Sequence, residues 1–180
     1  MNPINSIIPI TLAAGILVGL SGCEGKSTEQ SLPMSTHTPD QTSETNAWVL
    51  ASAPEGAISI TEAKATAKEG DTIVIRGRIG GRHSPITADS PVFTIMDMQL
   101  AYCGQHEDDG CSTPWDYCCE TPSTIGENAA TVQIVGEGTI DPIAGGLSPL
   151  DEIILIGTVA PRPNQDVLTI KATGIFTQEG

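Results

Sequence analysis

Hydrophobic and polar residues divide the chain into three zones. From Ile7 to Leu20 the side chains are almost all apolar, and no charged residue occurs before Glu24. That run is shorter than the roughly 18 to 20 apolar residues a membrane-spanning helix needs, and it suits the core of an export signal over residues 1–22. From 23 to 56, Ser, Thr, Pro, Glu and Gln dominate without apolar periodicity. Such a stretch buries too little surface to offset its ordering entropy and is predicted to be a disordered tether. Trp48-Val49-Leu50 is the exception, expected to pack on the third zone.

Periodicity begins with that third zone. Ser59-Ile60-Thr61-Glu62 reads as a capping box, with Ile58 and Ala63 placed for a hydrophobic staple. The Ala- and Lys-rich 63–68 then predicts a short helix that stops at Gly70. Segment 72–79 alternates, with Ile73, Ile75 and Ile79 on one face and Arg76 and Arg78 on the other. Gly77 inside it predicts a bulge or bend. Further strands are expected at 92–96, 130–135, 153–159 and 167–173; the fourth is apolar throughout and therefore central. The stretch 141–149 is too rich in Gly and Pro for a helix.

The apolar zone ends in Leu20-Ser21-Gly22-Cys23, which resembles the lipobox of bacterial lipoproteins. The resemblance implies cleavage after Gly22, a diacylglyceryl group on the Cys23 thiol, export, and anchoring to a bacterial cell membrane through the bilayer. Two or more acyl chains anchor stably where one does not. The segment Met1-Asn2-Pro3-Ile4-Asn5-Ser6 departs from the usual pattern in having no Lys or Arg.

The glycine-bent 70–79 run, the Phe93-Thr94-Ile95-Met96-Asp97 strand and the Val159/Leu168 hairpin together resemble OB-fold domains. The fold expected over 57–178 is thus mainly β: a small five-stranded OB-like barrel with one short N-terminal helix and a cysteine-rich insertion at 102–120. The alternative is a small β-sandwich. Pro114-Trp115-Asp116-Tyr117-Cys118-Cys119-Glu120 resembles a signature of poorly characterised secreted bacterial OB-like proteins, a likeness that implies the barrel and no activity.

Charge narrows the partners. The 180 residues hold 8 Lys+Arg against 22 Asp+Glu, a net charge of −14, and aromatics are 3%. Polyanions are held by clustered cations and stacking rings, so no nucleic-acid partner is expected, although Arg76, Arg78 and Arg82 lie near the face where an OB-fold would bind one. There is no Gly-x-Ser-x-Gly, His-Glu-x-x-His or phosphate loop, and no enzymatic activity is expected. His37 falls in the tether and His83 in a turn. Glu107, Asp108, Asp109, Asp116 and Glu120 lack the alternation of a calcium loop and read as a solvated acidic surface.

The insertion carries both of the chain's tyrosines and every cysteine except Cys23. In an exported domain, Cys103, Cys111, Cys118 and Cys119 are expected to form two disulfides. A Cys118–Cys119 bridge needs a strained vicinal ring. This leaves Cys103–Cys118 with Cys111–Cys119, or Cys103–Cys119 with Cys111–Cys118. The alternative is a zinc or copper site made by the same four thiols and His106. Against it stand the absence of Cys-x-x-Cys pairs and the expectation that adjacent thiols point apart. His83 should be remote, since a strand of roughly 20 Å or more separates it from the cysteines unless a loop folds back.

The expected function is that of a membrane-anchored envelope lipoprotein, a non-enzymatic binding or structural module without cofactor, acting on an envelope protein or small ligand. The alternative is a metal-binding or redox lipoprotein that uses 103–119. Replacing Cys23 by Ser should move the protein from the membrane fraction to the soluble one. Retention in the membrane after that change would overturn the lipobox reading.

Overall fold

A computed structural model describes residues 46–105 and 110–178; the signal segment, Cys23, the tether to residue 45 and His106 lie outside the described residues. Ser59 caps helix α1 (Ile60–Thr66), its hydroxyl accepting the Glu62 N–H at 3.1 Å. One of the amides that a helix start leaves unpaired is thereby satisfied. The expected return bond from the Glu62 carboxylate does not form among the described residues. The helix also ends earlier than Gly70 predicts. Arg162 takes its terminal carbonyls, donating to Ala67 O at 2.7 Å and Lys64 O at 3.1 Å.

Five strands come next: β1 (Thr72–Ile79), β2 (Val92–Met96), β3 (Ala129–Ile134), β4 (Glu152–Val159) and β5 (Thr169–Gln178). They close into a barrel in the order β1-β2-β3-β5-β4, so the OB-like barrel forms and the sandwich alternative does not. Neighbours are antiparallel except β3 and β5. The interior is built by alternating apolar side chains such as Ile75, Ile79, Phe93, Val132, Leu155 and Ile170, all essentially buried. Helix α1 adds Ile60 and Ala63 to this core.

Three details differ from the sequence reading. The pairing of β1 with β4 runs unbroken from Thr72↔Thr158 to Arg78↔Glu152, so Gly77 makes no bulge there. Gly77 instead lets strands approach: a Cβ would lie 3.0 Å from Ile95 Cδ1 and 3.1 Å from Met96 O. The register shift falls at Ile156/Gly157 against β5. Second, β5 starts later and runs further than 167–173. The Asn164 side chain ties the Asp166 and Val167 amides into a turn, and β4 pairs with β5 as far as Glu152↔Gln178.

Third, an unforeseen helix α2 (Pro122–Asn128) precedes β3. Thr121 caps it by accepting the Thr124 N–H, and Pro122 opens it. It buries no residue, which is why no apolar period announces it. Segment 141–149 forms turns and no helix, as its composition implies. No helix among the described residues is long and apolar enough to cross a membrane.

Trp48 reaches the barrel from the leading segment and is 5% exposed. Val49 forms a parallel bridge with Ile175, with Leu50 N–H donating to Ile175 O at 2.8 Å and Ile175 N–H to Trp48 O at 2.7 Å. The indole lies against Gly145, where no side chain fits. Trp48→Ala should therefore cost about 3–5 kcal/mol of unfolding free energy, the scale for truncating a buried aromatic. Urea denaturation measures this, and a loss below about 1 kcal/mol would show that the segment is an ornament of the barrel.

Candidate functional site

The insertion leaves β2 through Asp97, which is fully buried. Its carboxylate accepts Thr61 N–H at 2.9 Å, the Thr61 hydroxyl at 3.0 Å and Gln99 N–H at 3.0 Å. Its own amide donates to Asn128 O at 2.8 Å. One carboxylate thus ties the exit of β2 to the starts of α1 and the insertion and, through its backbone, to the end of α2. A single Asp after an apolar strand carries no sequence signal for this role.

Beyond Asp97 the chain folds back against the turn after β1. Trp115 Nε1–H donates to the carbonyl of His83 at 2.9 Å, and Gly81 N–H donates to Trp115 O at 2.8 Å. The separation expected between His83 and the cysteine segment is therefore cancelled by the loop. It is the His83 backbone that takes part. A 3-10 turn, Pro114–Asp116, leads into Tyr117, which is fully buried with φ at +58°. Its ring occupies the space that Gly80 leaves open: a Cβ at Gly80 would lie 2.8 Å from Tyr117 Cε2 and 2.7 Å from Trp115 O.

Asp116 organises the turn with both of its carboxylate oxygens. It accepts the Thr113 hydroxyl at 2.7 Å and Cys118 N–H at 2.9 Å. The Thr113 bond is the main reason its carboxyl is held below the usual range. Glu107, Asp108 and Asp109 lie outside the described residues.

The left-handed turn at Tyr117, closed by Glu120 N–H donating to Tyr117 O at 2.9 Å, brings the two adjacent cysteines to one side. The sulfurs of Cys103, Cys111, Cys118 and Cys119 all lie within 4.8 Å of one another. Cys111 and Cys118 are 2.9 Å apart, Cys103 and Cys118 3.5 Å. The expectation that Cys118 and Cys119 point apart is thus wrong. All four are free thiols in the structure, Cys103 buried and Cys118 and Cys119 exposed. His106 lies outside the described residues, and His83 is not in the cluster.

Hydrogen bonding divides the thiols into two kinds. Burial opposes ionisation of Cys103, but bonds from the Cys119 amide and from the Cys119, Cys118 and Cys111 thiols outweigh it and lower its pKa. Hydrogen bonding with Cys111 first and Cys103 second pushes the Cys118 thiol up to about 12. Cys119, donating first to Cys103, is pushed up to about 11.

Below the loop lies Arg78, only 7% exposed, so it is not the solvated charge that alternation implies. Its guanidinium donates to Glu152 at 2.9 Å and sits 4.8 Å from the centre of the Tyr102 ring. Burial penalises this charge, but the Tyr117 hydroxyl and Glu152 outweigh the penalty and raise the Arg78 pKa. Neither Arg78 Nη1 nor the Tyr117 hydroxyl completes a hydrogen bond by geometry among the described residues. Arg76 shares Glu152 at 2.8 Å, so one carboxylate pairs with both arginines and the trio keeps one positive charge. A separate groove of about 530 Å³ lies between α2, the β2–β3 face and the β4–β5 turn, with Arg82, Glu127 and Asp166 at its walls.

The fold and the cluster define an OB-like barrel bearing a four-cysteine centre on its β2–β3 insertion. No family model and no curated protein matches the sequence. Among solved structures, the hypothetical protein ygiW from E. coli is similar at 15% identity and a TM-score of 0.37, over 71% of this chain and 96% of that one. Aspartyl tRNA synthetase from Entamoeba histolytica is similar at 14% identity and a TM-score of 0.38, over 92% of this chain and 28% of that one.

The Glu152 carboxyl is held below the usual range, first by Arg76 and then by Arg78, against a desolvation that pushes it up. A carboxyl whose folded pKa is depressed contributes stability that is present above its unfolded pKa and lost as pH falls through the folded one. Glu152→Gln should cost about 1–3 kcal/mol at neutral pH, because buried Arg78 loses its ionised partner. The gap to wild type should narrow below about pH 4. Denaturation at pH 7 and pH 3 tests this; a gap that stays constant would mean that the carboxylate's charge is irrelevant.

Proposed function

We propose that the protein is an exported, lipid-anchored, non-enzymatic binding module whose ligand is a soft d10 metal ion, with zinc as the reference ion, held by Cys103, Cys111, Cys118 and Cys119. The observation that carries the reading is the convergence of four sulfurs within 4.8 Å. Zinc–sulfur bonds of about 2.3 Å put tetrahedral thiolates roughly 3.8 Å apart, inside that spread. Thiolates select soft ions over the calcium and magnesium that acidic surfaces attract. Four protein ligands close the coordination sphere and leave no position for an activated water, which favours a binding role over catalysis. Export and anchoring rest on the likeness of Leu20-Ser21-Gly22-Cys23 to a lipobox.

The test uses the full chain in detergent, reduced and free of metal. Native mass spectrometry should show one zinc per chain, and cobalt in its place should give a thiolate-to-metal charge-transfer band. Cys118→Ser should weaken zinc binding by more than about tenfold, the least that losing even a supporting residue tends to cost. A reduced wild-type chain that takes up no stoichiometric zinc or copper would overturn the reading.

A further inference from the structure

We propose that the four-cysteine centre is a redox-gated metal site: metal and disulfides use the same sulfurs in exclusion, and oxidation joins Cys111 to Cys118 first and Cys103 to Cys119 second. The metal half of this rests on the function proposed above. The order of pairing rests on geometry alone.

Cys111 and Cys118 hold the shortest sulfur separation described, 2.9 Å, against 3.5 Å for Cys103 and Cys118. A disulfide bond is about 2.05 Å long, so the first pair needs the smaller movement. Access points the same way. Cys118 is exposed and Cys111 partly so, whereas Cys103 is 4% exposed beneath the loop. An oxidant arriving from solvent therefore meets Cys118 before Cys103. The segment between Cys111 and Cys118 is already curled by the Pro114–Asp116 turn and the Asp116 bonds to Thr113 and Cys118, so little chain order remains to be gained. Pairing Cys118 with Cys119 is disfavoured by the strained vicinal ring. Once Cys118 is engaged, Cys103 and Cys119 remain, their sulfurs within 4.8 Å of each other. Of the two connectivities that spacing leaves open, the structure thus favours Cys103–Cys119 with Cys111–Cys118.

The oxidant is a small-molecule disulfide, the ordinary electron acceptor for thiols in an oxidising compartment. Cys118, deprotonated while it holds zinc, attacks one sulfur of the oxidant, breaking its S–S bond and releasing one thiolate. The Cys111 thiolate then attacks Cys118 in the mixed disulfide and releases the second. Two electrons pass from two cysteines to one disulfide. The same exchange at Cys103 and Cys119 consumes a second disulfide. The ion loses all four thiolate ligands and leaves as the free cation, while four thiolates of the oxidant carry away the negative charge.

The experiment starts from the full chain in detergent, reduced and loaded with zinc. Glutathione disulfide is added with a chromogenic zinc indicator present. Samples are quenched over time by alkylation, then reduced and alkylated with a heavy reagent, so fragmentation spectra assign each cysteine, Cys118 and Cys119 included. The expected course is zinc release in step with heavy label at Cys111 and Cys118, then label at Cys103 and Cys119. The final mass should lie four hydrogens below the reduced apo chain, and reductant should restore zinc uptake. In Cys111→Ser the nearest resolving thiol is missing, so the glutathione adduct at Cys118 should last longer than in the wild type, with circular dichroism confirming the barrel. A first pair of Cys103 and Cys118, or zinc retained after both disulfides form, would overturn the present proposal while leaving the metal reading intact. A reduced chain that takes up no zinc overturns the metal reading and with it the exclusion, and is seen before any oxidant is added.

Discussion

Tyr117 lying against Gly80 is the contact on which the cysteine centre depends. Among its described residues the insertion has one 3-10 turn and no other regular structure, and its sulfurs come from Cys103, Cys111 and the Cys118-Cys119 pair. A loop of this kind holds a fixed shape only where something buried pins it. Tyr117 is fully buried one residue before Cys118, and its left-handed backbone turns the chain toward the cluster. The partner surface is bare backbone: any side chain at Gly80 would meet both Trp115 O and the Tyr117 ring within 3 Å. Burying one tyrosine stabilises by a few kcal/mol, enough to offset the ordering of only a handful of residues. The remainder comes from Trp115 bonding to His83, from Asp97, and from the cluster's own internal bonds.

Arg78 connects that loop to the seam of the barrel. It stands at the end of the β1–β4 pairing, opposite Glu152, and passes its charge beneath Tyr102 and Tyr117, the residues before Cys103 and Cys118. A buried cation is expensive unless it is paired and hydrogen-bonded. Here Glu152 supplies the pair and the Tyr102 ring the soft contact. The orphaned Arg78 Nη1 and Tyr117 hydroxyl are the part of this arrangement left unsatisfied by the described residues. Such a pair rigidifies the floor of the site, at the cost of strict dependence on Glu152.

Strand alternation makes most of the barrel legible, because an OB-like barrel buries one face of each strand and the period-two pattern records that directly. The β2 limits and the whole of β1 come from it. Helix α2 is illegible by apolar period because it buries nothing; Thr121-Pro122, a cap leading into a proline, is the one available sign. Arg78 misleads for a different reason. Alternation assigns a residue to the outer face of its strand but does not reveal that another segment covers that face. Its burial depends on Tyr102 and Tyr117, residues well downstream that return only because the insertion folds back. The cysteine cluster is half legible. Residue type and count point to shared chemistry, whereas convergence of Cys118 with Cys119 depends on the positive φ of Tyr117, which a non-glycine residue does not advertise.

The same folding back decides which surfaces of the barrel stay open. In barrels of this type the β2–β3 face and the loops after β1 and β4 commonly hold the ligand. Here the turn after β1 is occupied, since Gly80 and Gly81 receive Tyr117 and Trp115. The groove that remains on the β2–β3 face sets Arg82 against Glu127 and Asp166, so its charged walls oppose an extended polyanion, as does the net charge of −14. The arginines best placed for such a ligand, Arg76 and Arg78, are taken up by Glu152. The turn after β1 thus supports the insertion, with Tyr117 and Trp115 seated on it one and three residues before Cys118.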